Sequence, residues 1–266
     1  MKNILITSFV IIFSINFSVN NVHAEDELTI SVASSLYKVS KELTKEWEKT
    51  NNKKITTITG STSLLARQIE RGQKSDIIIT ANYSWLKWMI DRNLIEESSI
   101  KKIAKNSLVF ITGINKNIHL DINSFKFKDD LIEMISSSKI SMPHPSSVPL
   151  GMYSKQALKS LGVWSLIQEK LVFTSSAQSN LKFISQGEVN IGITYLSDAI
   201  LSSKVKIISY IDNKKFNYDK PTYWAAKINR GNKNNDYNFL QWLESQKSQE
   251  IFKNYGFQTI YSEENN

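Results

Sequence analysis

The chain has 266 residues, with 33 Lys and Arg against 25 Asp and Glu, a formal charge of +8 and no cysteine. The lack of thiols excludes a disulfide framework and a lipid-modified N-terminal Cys, and His119 and His144 alone, outside the first 24 residues, do not make a usual transition-metal ligand set. The basic residues are scattered and carry no interleaved aromatic platform, which argues against a nucleic-acid partner and leaves a diffuse attraction for small anions.

Residues 1–24 read as a cleaved secretory signal peptide. Lys2 supplies the positive start, Ile4 to Phe17 an apolar stretch, and Val22-His23-Ala24 a small-residue cleavage pattern. Asn16, Asn20 and Asn21 interrupt the stretch well short of the roughly 20 apolar residues of a membrane span. The expectation is an exported, periplasmic protein.

Beyond the leader, strand-like runs are predicted at Leu28–Ala33, Ile55–Thr59, Asp76–Ala81, Ser107–Thr112, Lys139–Met142, Val189–Tyr195, Val205–Ile211 and Thr222–Ile228. Helical patterns alternate with them at Leu36–Trp47, Leu64–Arg71, Trp85–Arg92, Leu131–Ser136, Leu150–Leu161, Asn180–Gln186 and Tyr237–Tyr255. Within the first helix Leu36, Val39, Leu43 and Trp47 fall on one stripe and belong to a core, with Lys38, Glu42 and Lys45 left for water. This alternation predicts an α/β fold with mostly parallel sheets. No Pro-rich or Gly/Ser-rich linker divides the chain, so two lobes require ordered crossing strands, for which Ser107–Thr112 and Lys220–Ile228 are the candidates.

One local pattern recurs: an apolar strand enters a short hydroxyl-rich or small-residue turn and a helix opens at once. It occurs at Ala33-Ser34-Ser35-Leu36, Gly60-Ser61-Thr62-Ser63, Val148-Pro149-Leu150-Gly151, Thr174-Ser175-Ser176-Ala177 and Tyr195-Leu196-Ser197. The first N–H groups of a helix lack internal partners and sit at the positive end of its dipole, so each turn can hold part of an anion. Taken singly, such a turn is an ordinary N-cap. As a set at the carboxyl ends of parallel strands, they point to an oxyanion trap.

The segments Thr29–Leu36, Gly60–Glu70, Asp76–Ala81, Val148–Tyr153, Gly192–Ala199 and Ile251–Phe257, in this order, resemble the molybdate-binding proteins of ABC importers over essentially all of the chain after the leader. The resemblance implies a two-lobed periplasmic-binding-protein fold of type II, with lobe 1 formed by residues 25–107 and 224–266 and lobe 2 by 108–223. It implies that neutral donors in the cleft hold molybdate, or tungstate, through its oxygens, with no direct bond to the metal and no cofactor. Carried over by position, the side-chain donors are the hydroxyls of Ser35, Thr62 and Tyr195, and the backbone donors are the N–H groups of Leu150 and Ala177; Ser34 and Ser61 are adjoining candidates. Thr62 stands where the family usually has Ser, Leu150 where Ala is commoner, and Ala177 where Val is frequent. The implied partners are a membrane permease and its ATPase, with the binding protein a monomer.

Three other functions were weighed on the same residues. Another oxyanion, sulfate or phosphate, fits the turns; a ferric carrier needs paired Tyr with carboxylate or His, and the site offers a single Tyr195. A serine hydrolase needs a base oriented by a third group, and only His119 and His144 could serve, with no Gly-x-Ser-x-Gly turn. His144, between Pro143 and Pro145, is expected to be a bystander, which predicts an affinity that is flat between about pH 6 and 8. For the leader, the expected N-terminus of the exported protein is Glu25; N-terminal sequencing checks this, and Met1 retained in the membrane fraction contradicts it.

Overall fold

The apolar periodicities become two five-stranded sheets in a computed structural model that describes residues 27–51, 53–229 and 236–261. The leader, residues 1–24, lies outside the described residues. The chain first runs through β1 (Leu28–Ala33), a 3-10 turn at Ser34–Leu36, α1 (Tyr37–Asn51), β2 (Ile55–Gly60), α2 (Thr62–Glu70), β3 (Ile77–Thr80), α3 (Tyr83–Ile90) and β4 (Lys101–Lys105). It continues through β5 (Leu108–Gly113), α4 (Phe127–Ser136), β6 (Ile140–Pro143), α5 (Pro149–Ser160), α6 (Trp164–Ile167), β7 (Leu171–Thr174), α7 (Ala177–Ser185), β8 (Ile191–Tyr195), α8 (Leu196–Ile200) and β9 (Val205–Ile211). It ends with β10 (Thr222–Lys227), α9 (Asp236–Leu243) and α10 (Gln246–Asn254).

The first sheet has the order β2-β1-β3-β10-β4 and the second β7-β6-β8-β5-β9. The two orders match position for position. In each sheet the strand that arrives from the other sheet, β10 or β5, runs antiparallel to its neighbours. The remaining two pairs of each sheet are parallel, so both sheets are mixed, with four strands in one direction and one against them. The two crossing segments are bonded side by side, with the Asn106 N–H on the Pro221 carbonyl at 2.8 Å.

Strands buried on both faces explain the near-continuous apolar runs. In β3, Ile77 and Ile79 pack with the α1 stripe of Leu36, Val39, Leu43 and Trp47, whereas Ile78 between them packs on the other face with Leu65, Ile69, Leu86 and Met89. In β5, Leu108 and Phe110 join the α4 and α5 core, and Val109 and Ile111 meet Leu181 and Ile184 of α7. The predicted α1 stripe is therefore core, with the Trp47 ring edge-on to Phe239 at 5.6 Å.

Several boundaries differ from the sequence reading. The pattern over Tyr237–Tyr255 divides into α9 and α10, because the Ser245 hydroxyl accepts the Ser248 N–H and opens a new helix. The strand expected from Val189 begins at Ile191. Two strands, β4 and β7, and the short α6 were not anticipated.

One glycine is fixed by close packing. A Cβ on Gly151, in the first turn of α5, would lie 2.3 Å from the Pro143 carbonyl oxygen and 2.6 Å from that of His144, and neither backbone atom can step aside. Gly151→Ala is expected to cost about 1–3 kcal/mol, and to displace the start of α5, which thermal unfolding will detect as a lower Tm.

Candidate functional site

In a parallel strand-turn-helix unit the helix begins at the carboxyl end of the strand, so the turns collect on one edge of each sheet. The two such edges face each other here. Ala33, Ser34, Ser35, Ser61, Thr62 and Ala81 from the first sheet and Val148, Pro149, Leu150, Ala177 and Tyr195 from the second line one cavity of about 190 Å³. All seven sequence-predicted residues are in this wall, and no Asp, Glu, Lys, Arg or His is among its lining residues. The free space between these walls is far smaller than a pocket for a drug-sized ligand and suits one small ion. A larger hollow of about 760 Å³, between Ile69 and Ile228, lies at the opposite end of the first sheet and gathers no helix starts.

The helix starts in this wall are short of caps. The residues before the 3-10 turn at Ser34, before α2, before α5 and before α8 make no side-chain capping bond. Pro149 at the first turn of α5 has no N–H, so the first donor of that helix belongs to Leu150, whose side chain packs into the core of the second sheet. At α7 the Ser176 hydroxyl takes the Ser179 N–H at 3.0 Å, which leaves the N–H of Ala177 without an intrahelical acceptor.

The hydroxyls are arranged to donate. Thr62 Oγ1 accepts the Ala81 N–H at 3.2 Å, and Ser35 Oγ accepts the Tyr223 O–H at 3.0 Å. Each oxygen thereby accepts one bond, and neither Ser35 nor Thr62 donates its proton to a described residue. Tyr195 is buried and its hydroxyl has no hydrogen-bond partner among the described residues. Burial holds this phenol well above its ordinary pKa, so it is a neutral donor.

Contacts across the gap close the sheets over the cavity. Trp85 Nε1 donates to the Ser147 carbonyl at 2.7 Å, Lys38 Nζ to the Leu201 carbonyl at 2.7 Å, and Asn82 Nδ2 to Met152 Sδ at 3.3 Å. His144 stays outside the wall: it is exposed, with its ring 5.4 Å from Phe173 and Nδ1 at 2.9 Å from Ser146 Oγ. That exposed Ser-His contact has no place in the cavity. Among the described residues no three His, Cys, Asp or Glu cluster to hold a metal ion.

Sequence reasoning missed Asn106, Tyr223 and the burial of Asp198. Asp198 lies in the first turn of α8, where its Oδ1 accepts from Gln178 Nε2 at 2.9 Å and its Oδ2 has no hydrogen-bond partner among the described residues. Burial pushes its carboxyl up to about 7, against lowering by the Gln178 hydrogen bond and by Lys38. This titration bears on folding stability, a quantity separate from the flat affinity expected with His144 as a bystander. Between about pH 4 and 7 the unfolded chain has released this proton and the folded protein holds it, so Asp198 lowers stability progressively as pH rises to about 7. Relative to Asp198→Asn, the wild type is expected to lose Tm between pH 5 and 8; parallel Tm curves for the two proteins exclude this assignment.

The family model for bacterial extracellular solute-binding proteins matches residues 28–258. The chain is 27% identical over 241 residues to the molybdate-binding protein ModA of Escherichia coli, covering 90% of this chain and 91% of that protein. It is 28% identical over 237 residues to ModA of Haemophilus influenzae, covering 88% and 91%. In fold it matches the periplasmic molybdate-binding protein of Azotobacter vinelandii with a TM-score of 0.72 at 18% identity, over 86% of this chain and 98% of that one. It also matches the sulfate-binding protein SubI of Mycobacterium tuberculosis with a TM-score of 0.73 at 13% identity, over 89% and 88%. With two matching α/β sheets closed over one cavity, and a family match that runs nearly end to end, the chain belongs to the bacterial extracellular solute-binding proteins.

Proposed function

We propose that this protein captures molybdate, with tungstate as a near-isosteric second ligand, in the periplasm and delivers it as a monomer to the permease and ATPase of an ABC importer. The observation that carries the reading is a buried wall with no charged side chain, in which an unpartnered Tyr195 hydroxyl, two oriented hydroxyls and uncapped helix N–H groups converge. Ser35 and Thr62 bind from lobe 1, and Leu150, Ala177 and Tyr195 from lobe 2. The ion is completely held only in the closed form. The protein's role is binding, without catalysis.

The chemistry favours this ligand class. Molybdate at neutral pH offers acceptors alone, so donors alone satisfy it, and hydrogen bonds to a charged group contribute roughly 1.5–3 kcal/mol each. Four or five of them sum to roughly 6–15 kcal/mol, which spans the 8–12 kcal/mol of a micromolar to nanomolar complex before ordering costs. Hydrogen phosphate carries an O–H that needs an acceptor, and this wall offers it no carboxylate, only hydroxyl oxygens that a fully accepting ion uses as donors. Sulfate matches in charge and is discriminated by size.

The test is a titration of melting temperature and tryptophan fluorescence with molybdate, tungstate, sulfate and phosphate. Trp85 reports closure because it bonds across the gap. Molybdate and tungstate are expected to stabilise at micromolar levels and phosphate to have no effect; stabilisation by phosphate alone refutes the reading.

Tyr195→Phe separates binding from stability. It removes a buried hydroxyl that has no partner, so the unliganded protein is expected to keep or raise its Tm. Molybdate affinity in calorimetry is expected to fall about ten- to a hundredfold. Parent-like affinity in this variant means that the ion sits elsewhere.

A further inference from the structure

Asn106 and Tyr223 lie outside the cavity wall, yet their hydrogen bonds lead into it. Asn106 is buried in the crossing between β4 and β5. Its Oδ1 accepts the backbone N–H of Ser107 at 2.9 Å and of Ser197 at 3.4 Å. Backbone N–H groups only donate, so the amide has one orientation, with Nδ2 directed at Ser197 Oγ (2.8 Å) and Tyr223 Oη (3.2 Å). The buried Tyr223 phenol receives that bond and has a single acceptor for its own proton, Ser35 Oγ at 3.0 Å. The donors therefore run one way, from the Asn106 amide through the Tyr223 hydroxyl to the Ser35 hydroxyl, whose proton is left for the cavity.

We infer that Asn106 and Tyr223 are positioning residues that fix Ser35 as a donor and make that direction depend on lobe closure. The inference rests on the reading of the cavity as an oxyanion site. Ser197 belongs to α8 beside the second sheet and Tyr223 to β10 of the first, and Asn106 Nδ2 bonds both. Movement of α8 away from β10 breaks one of these bonds. Where the bond to Tyr223 is the one lost, its hydroxyl is no longer polarised and its hold on the Ser35 oxygen weakens. In the closed form Tyr223 takes one lone pair of Ser35 Oγ and biases its O–H toward the cavity, so Ser35 meets the ligand first as a donor. Tyr223 thereby sets selectivity without touching the ligand.

The test is calorimetry with molybdate and with phosphate on the wild type, Tyr223→Phe, Ser35→Ala and the double variant, each checked for folding by its Tm. Tyr223→Phe is expected to weaken molybdate binding about three- to tenfold, and to narrow the ratio of molybdate to phosphate affinity. Added to Ser35→Ala, it is expected to change affinity by no more than about twofold, because its effect passes through the missing hydroxyl. Asn106→Asp, which removes both amide donors and offers the Tyr223 proton a carboxylate, is expected to reproduce the loss and serves if Tyr223→Phe fails to fold. Additive effects in the double variant, or an unchanged selectivity ratio, overturn the relay while leaving the oxyanion reading intact. A wild type that binds none of the oxyanions overturns both together.

Discussion

Taking a dianion out of water requires a donor for every oxygen, and in the proposed site the constraint is met by where parallel strands put their helices. Each sheet has four co-directional strands and one antiparallel strand that arrives from the other sheet. The parallel strands send their turns to one edge, and the crossing strands hold the two edges face to face. Swapping the order of β10 and β3, or of β5 and β8, would keep both cores but separate the donors. The topology of the crossings thus matters to the site as much as any residue in its wall.

Neutral donors suit a carrier in a way that cationic side chains would not. An Arg or Lys in the wall would attract any anion of the right size, and its strong bonds would slow release. Backbone N–H groups read protonation as well as charge, because each tolerates only an acceptor, and a hydroxyl whose oxygen already accepts a bond from the protein is biased the same way. The formal positive charge of the chain lies in scattered residues and acts at longer range, as a weak pull on anions. Long-range attraction and recognition are therefore assigned to different atoms.

Much of the site was legible in the sequence because its parts are local. A strand, a small-residue turn and an opening helix lie within a few residues of one another, and Pro149 beside Leu150 identifies the first available N–H without any tertiary information. Asn106, Tyr223 and Asp198 were not legible in the same way. Asn106 reaches Tyr223 across 117 positions and Tyr223 reaches Ser35 across 188, and neither spacing leaves a periodic trace. Asp198 reads as an ordinary acidic residue in the first turn of a helix, and only the packing around α8 shows it to be buried. Strand β4 escaped because Lys101, Lys102 and Lys105 hide a two-residue core contribution from Ile103 and Ala104. For β7 the half-exposed edge position gives too weak an alternation.

The energetics of closure follow from how the donors are divided. A ligand shifts an open-closed equilibrium only by the difference between its affinities for the two states. In the proposed arrangement the open form offers Ser35 and Thr62, with Ser35 free to turn, whereas the closed form adds Leu150, Ala177 and Tyr195 and fixes Ser35 as a donor. An ion that accepts at every oxygen gains on closing from both changes. An ion with a proton gains less, because its O–H must compete for a Ser35 oxygen that already accepts from Tyr223. Closure itself then becomes the step that discriminates, and a transporter that recognises the closed form inherits the selectivity of a site it never touches.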